Sequence, residues 1–133
     1  MRSGDRLKIT EMAIELYNLS YYSANNSLKY EKEEKEAKAR IEYIENRIKD
    51  LENEASLYAK SGKNETERRS LMYEFLKGTS HKQLVLEVES IKKEIIANDY
   101  IKKKYKNEAD YYENVARILE NFTNFHFEEV ADE

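Results

Sequence analysis

The most constraining feature of this chain is a repeat of apolar residues at alternating steps of four and three. It runs Ala37, Ile41, Ile44, Ile48, Leu51, Ala55, Tyr58 without a miss, and Tyr30 lies one heptad ahead of it. Between these positions stand almost only Glu, Lys, Arg, Asn and Asp. A period of 3.5 is a coiled-coil seam, and a stripe that narrow must lie against another helix.

The register continues backwards through Ile9, Ala13, Leu16, Ser20, Ser23 and Ser27. Its middle is serine, inside a Tyr-, Asn- and Ser-rich stretch whose side chains compete for backbone hydrogen bonds. Two outcomes fit: one helix of about 55 residues, about 80 Å long, from a cap at Asp5 to Lys60, or the same helix bent near Asn25. The continuous or gently bent form is favoured.

A second seam reads Leu84, Val88, Ile91, Ile95, Asn98, then Tyr105, Ala109, Tyr112, Ala116, Leu119, with one step falling on Lys102. Asn98 and Lys102 either fix register and oligomer state, as lone polar seam residues do, or mark a stripe that passes to Ile101. Between the seams, Gly62 suits a left-handed residue after a helix end. Asn64 and Glu67 have capping-box spacing for a short helix over Glu65–Lys77, which Gly78 closes. Ser80 and Gln83 repeat that spacing. Proline is absent and there are three glycines, as long helices require.

The expectation is an all-α single domain with helices at about 5–60, 65–77 and 81–122 and an acidic tail at 123–133 whose end is mobile. The long helices would form an antiparallel, coiled-coil-like hairpin with the short helix at the turn. Leu84 would lie near Leu57, and Ile95 near Ile44–Ile48. Its seam would be Ile41, Ile44, Ile48, Leu51, Leu84, Val88, Ile91, Ile95, Asn98, Tyr105, Tyr112 and Leu119. Stripes this thin leave a lone hairpin marginal. A homo-oligomer is expected, covering Tyr43, Ile101, Tyr111 and Val115.

The residue inventory excludes much chemistry. There is no cysteine for thiolate or disulfide work. No apolar run approaches a membrane span. No Gly-rich phosphate loop, Gly-x-Ser-x-Gly or inward Glu-x-x-His repeat occurs. Glu31, Glu33, Glu34 and Glu36 alternate with Lys32 and Lys35, which reads as a solvated face. No catalytic residue, metal or cofactor is expected. The opening residues show no signal-peptide pattern, so cytoplasmic placement is expected.

Two basic clusters remain. One is Lys60, Lys63, Arg68 and Arg69, with Tyr58 beside it. The other is Lys102, Lys103, Lys104 and Lys106, preceded by Lys92 and Lys93, with Tyr100 and Tyr105 inside it. Cations with aromatics are the recipe for single-stranded nucleic acid. The plainer alternative is solvated lysine balancing nearby glutamate in a chain of net charge −4.

The stretch Tyr21-Tyr-Ser-Ala-Asn-Asn-Ser-Leu-Lys-Tyr-Glu-Lys32 resembles the early region of the T-even phage recombination mediator family. That family shows Tyr, Ala-Asn-Asn, Tyr and Lys at the spacing of Tyr21, Ala24, Asn25, Asn26, Tyr30 and Lys32. A charged helix then ends in an aromatic-containing segment with Ser-Gly and a basic residue, here Leu57-Tyr-Ala-Lys-Ser-Gly-Lys63. The resemblance covers about residues 17–63. It implies a small helical ring that binds single-stranded DNA, remodels single-strand binding protein and helps load a recombinase. The family's basic residues ahead of Ser-Gly are associated with DNA contact. The matching place here reads Glu54-Ala-Ser-Leu57, with Lys60 and Lys63 close by. The contrasting expectation is an acidic helical inhibitor of a host nucleic-acid enzyme, acting through Glu31–Glu36 and Glu128–Glu133, or a structural spacer.

Overall fold

The computed structural model describes residues 2–132, and side chains for residues 2–123. It is all-α: α1 spans Ser3–Tyr58, α2 Glu65–Lys77 and α3 His81–Asp132, and a 3-10 turn at Ala59–Ser61 follows α1. The chain divides into two compact units. The first holds residues 1–32 with 99–133, the second residues 33–98.

In the second unit the α1 and α3 segments pack through branched aliphatics. Ala37, Ile44, Val88 and Ile91 are buried together, and Ile41, Ile48, Leu84 and Ile95 pack against them. Leu51 is buried as well. The flanks carry ion pairs, Arg40 with Glu94 and Glu45 with Lys92, both at 3.9 Å. His81 Nε2 lies 3.0 Å from Glu52 Oε1. Partner numbers descend on α3 as they rise on α1, so the two segments run antiparallel.

That register corrects the expected one. His81 beside Glu52 sets Leu84 level with Ile48 and Leu51 rather than Leu57. Arg40 beside Glu94 sets Ile95 level with Ile41 rather than Ile44–Ile48. The reason is an overhang, because the end of α1 is covered by α2. Tyr58 meets the Phe75 ring at 5.4 Å, and Ala55 and Ala59 are fully buried.

In the first unit the most buried seam positions hold small residues, while Leu16, Tyr30, Tyr105, Tyr112 and Leu119 are half-buried. The unit's buried residues, among those described, are Ala13, Ser23, Ala109, Ala116 and Thr123. Ser20 Oγ donates to the Ala109 carbonyl at 2.7 Å, and Ser27 Oγ to the Lys102 carbonyl at 3.1 Å. The serines therefore leave the α1 backbone intact, and α1 passes Asn25 as helix. Tyr30 stacks on Tyr105 with centroids 5.9 Å apart. Ile101 and the polar seam residue Lys102 are both half-buried here, and Asn98 is half-buried in the second unit.

Several local expectations change. α1 begins at Ser3, which places Asp5 in its first turn rather than at the cap. Gly62 is extended (φ −66°, ψ 137°), and no described residue has positive φ. What requires glycine there is space: a Cβ would lie 2.7 Å from Arg68 Cγ and 2.9 Å from the Arg68 backbone nitrogen. At the start of α3 the side-chain bonds run through Thr79, whose Oγ1 donates to the Leu76 carbonyl and accepts from His81 N–H. α3 continues to Asp132, ten residues past the boundary expected at Phe122. The acidic side chains at 128–133 lie outside the described residues.

Candidate nucleic-acid interface

The turn between α1 and α2 is built by a short set of contacts. Asn64 Oδ1 accepts from Glu67 N–H at 2.9 Å, satisfying one of the free donors at the α2 N-terminus. Glu67 reaches back and accepts from Lys63 N–H at 2.7 Å. Both acidic residues of the first turn, Glu65 and Glu67, sit at the positive end of the helix dipole. Arg68 lies across Gly62 while its Nε donates to the Asn64 carbonyl at 3.3 Å.

Lys60 lies in the 3-10 turn, Lys63 in the connection, and Arg68 and Arg69 near the start of α2, all four exposed. They are not equivalent. Arg69 is paired with Glu65 at 2.7 Å, one helical turn back. Arg68 is occupied with the turn itself. Lys60 and Lys63 present ammonium groups to solvent. Tyr58 is half exposed, and its ring is tilted against Phe75 rather than standing clear for a base.

The second basic cluster is more self-contained. Lys103 and Lys102 both reach Asp99, at 2.8 and 3.2 Å. Their hydrogen bonds, Lys103 first, hold the Asp99 carboxyl below its usual range. A groove of about 590 Å³ in this unit is lined by Leu28, Glu31, Lys102, Lys103, Lys106 and Asp110, a mixture of signs. Tyr105, expected among the stacking candidates, is stacked on Tyr30. Tyr100 is 72% exposed and shares another groove, of about 570 Å³, with Lys103, Lys104 and Tyr111. Tyr111 was not among the cluster's aromatics, yet its spacing from Tyr100, three helical turns on, places both rings on one side of α3.

The twelve predicted seam residues are all buried or half-buried. Nothing in either cluster gathers three metal-binding side chains among the described residues. Among them, too, no helix is long and apolar enough to cross a membrane. No protein-family model matches the chain, and neither a curated protein nor a solved structure gives a match.

Proposed function

We propose that this chain is a non-enzymatic, phage-type accessory protein of DNA recombination or replication. In this reading α1 and α3 form a long antiparallel hairpin with α2 at its turn, and copies associate. The assembly binds single-stranded DNA and acts as a recombination mediator, with a recombinase and a single-strand binding protein as partners. The observation that carries the reading is the exposure of Lys60, Lys63, Arg68 and Arg69 within ten residues of chain, where the 3-10 turn passes into α2. The resemblance over residues 17–63 supports it, as does the descending pairing of α1 with α3 in each unit.

The cations divide by availability. Lys60 and Lys63 make the phosphate contacts. Arg69 joins them by exchanging Glu65 for phosphate, since exposed ion pairs hold weakly. Arg68 keeps the turn in place. Copies assembled together pool these contacts, which add along a single strand.

Fluorescence anisotropy with a labelled oligonucleotide, at low and moderate salt, tests this. Binding is expected to weaken steeply with salt. The Lys60→Ala/Lys63→Ala protein should bind about tenfold or more weakly, with a salt slope reduced by roughly 1.4 for each copy engaged on the strand. A well-folded oligomer that binds no single-stranded DNA at low salt would remove the reading in favour of the inhibitor or spacer.

A further inference from the structure

The first unit has a face that its own two helices leave open. Tyr17 Oη donates to Glu120 Oε2 at 2.7 Å, and each of these residues directly follows a seam position, Leu16 and Leu119. In an antiparallel pair, residues that follow the seam share one side, and residues that precede it share the other. On the preceding side large apolar residues stand on both helices. α1 brings Met12, Leu19 and Tyr22, with the exposed Glu15 between Met12 and Leu19, and α3 brings Tyr111, Val115 and Ile118 in an unbroken run that Lys104 and Glu108 precede.

These residues lie level with one another, given Ser20 against Ala109. Tyr22, Leu19 and Met12 run back along α1 beside Tyr111, Val115 and Ile118, which run forward on α3. Five of the six are large side chains left 45–66% exposed. The α3 residues step four and three, the same spacing as the internal seam, so the stripe is shaped to receive knobs from another helix.

The opposite side differs. There α1 carries Leu7, Ile14, Tyr21 and Leu28, but α3 answers with Lys103, Lys106, Asp110, Glu113, Arg117 and Glu120. Only the preceding side has large apolar residues from both helices.

We propose that this side is the interface with a second copy of the same chain, closing as a two-fold four-helix arrangement. The six residues expose on the order of 600 Å² of side chain, most of the ~800 Å² per partner typical of a stable interface. A two-fold pairing presents the same stripe to itself, so it needs no second complementary patch. The proposal rests on the self-association in the reading above and names the surface responsible.

Sedimentation of the full chain from nanomolar to micromolar concentration tests it, with helicity followed by circular dichroism. Ile118→Glu and Leu19→Glu are expected to weaken association about 100-fold or more, as charges forced into an interface centre do. Leu28→Glu, equally exposed on the other side, should change it less than about threefold. Should Ile118→Glu lose helicity, Ile118→Ser gives the same answer with a smaller shift. Association that survives Ile118→Glu and Leu19→Glu but fails with Leu28→Glu overturns the proposed face and leaves self-association standing. A wild-type monomer at tens of micromolar overturns both.

Discussion

Ser20 donates its hydroxyl hydrogen to the main-chain carbonyl of Ala109, 89 positions later, at 2.7 Å. A side chain that short can span two helices only when their backbones are close. Ala109 is itself buried, so neither partner holds the helices apart. Ser20→Ala removes the hydrogen bond and should cost about 1 kcal/mol. Ser20→Leu keeps the helix but overfills the gap, and should cost about 1–3 kcal/mol. Urea unfolding of the two variants checks the order, and a Leu variant as stable as the Ala one would contradict close approach.

Gly62 and Gly78 both follow helical segments but answer substitution in opposite ways. At Gly62 an added Cβ meets the Arg68 backbone nitrogen at 2.9 Å, so Gly62→Ala must move α2 and should lose about 1–3 kcal/mol. At Gly78 the nearest atom is 3.7 Å away and the backbone is φ −84°, ψ 2°. Gly78→Ala is therefore expected to be neutral or to gain up to about 1 kcal/mol by restricting the unfolded chain. Paired thermal melts decide between them.

Asn64 holds the start of α2 through one side-chain acceptor. Asn64→Ala should cost about 1 kcal/mol, and Asn64→Asp or Asn64→Ser should retain most of it. Amide exchange at Glu67, whose N–H loses its partner, should accelerate in the Ala variant alone.

Two groups make pH predictions of opposite sign. Lys103 and Lys102 hold the Asp99 carboxyl below its usual range. The stability from that contact is complete above the ordinary aspartate value and is lost as pH falls through the lowered one. Tyr17 is raised, chiefly because its hydroxyl donates to Glu120. That contact contributes fully below the ordinary tyrosine value near 10 and is lost as pH rises through the higher one. Asp99 should titrate below, and Tyr17 above, the exposed members of their types in NMR titrations. Glu120→Ala, which removes the acceptor, should bring Tyr17 back towards its ordinary value.

The helices were legible because periodicity survives without knowledge of the partner. Ile41, Ile44, Ile48 and Leu51 announce a buried stripe whatever lies across from it. The register was not, because it depends on how much chain the turn consumes. α2 packs on Tyr58 and on the 3-10 turn at Ala59–Ser61, so α3 meets α1 earlier than Leu57. Serine statistics pointed to a weak helix around Ser20–Ser27, and carbonyls on another helix, invisible in the sequence, removed the weakness. At the basic turn the cations were legible and their occupations only partly. Arg69 with Glu65 is a four-residue spacing that could have been read directly. Arg68 across Gly62, and Tyr58 against Phe75, come from folding.

The small-residue seam of the first unit also sets a thermal behaviour. Heat capacity of unfolding grows with the apolar surface exposed. Alanine, serine and threonine expose little, whereas Ile44, Leu51, Val88 and Ile91 in the second unit expose much more. So far as the most buried positions set it, the serine-lined unit should have the flatter dependence on temperature. The aliphatic unit should have the sharper optimum, loosening sooner on strong cooling.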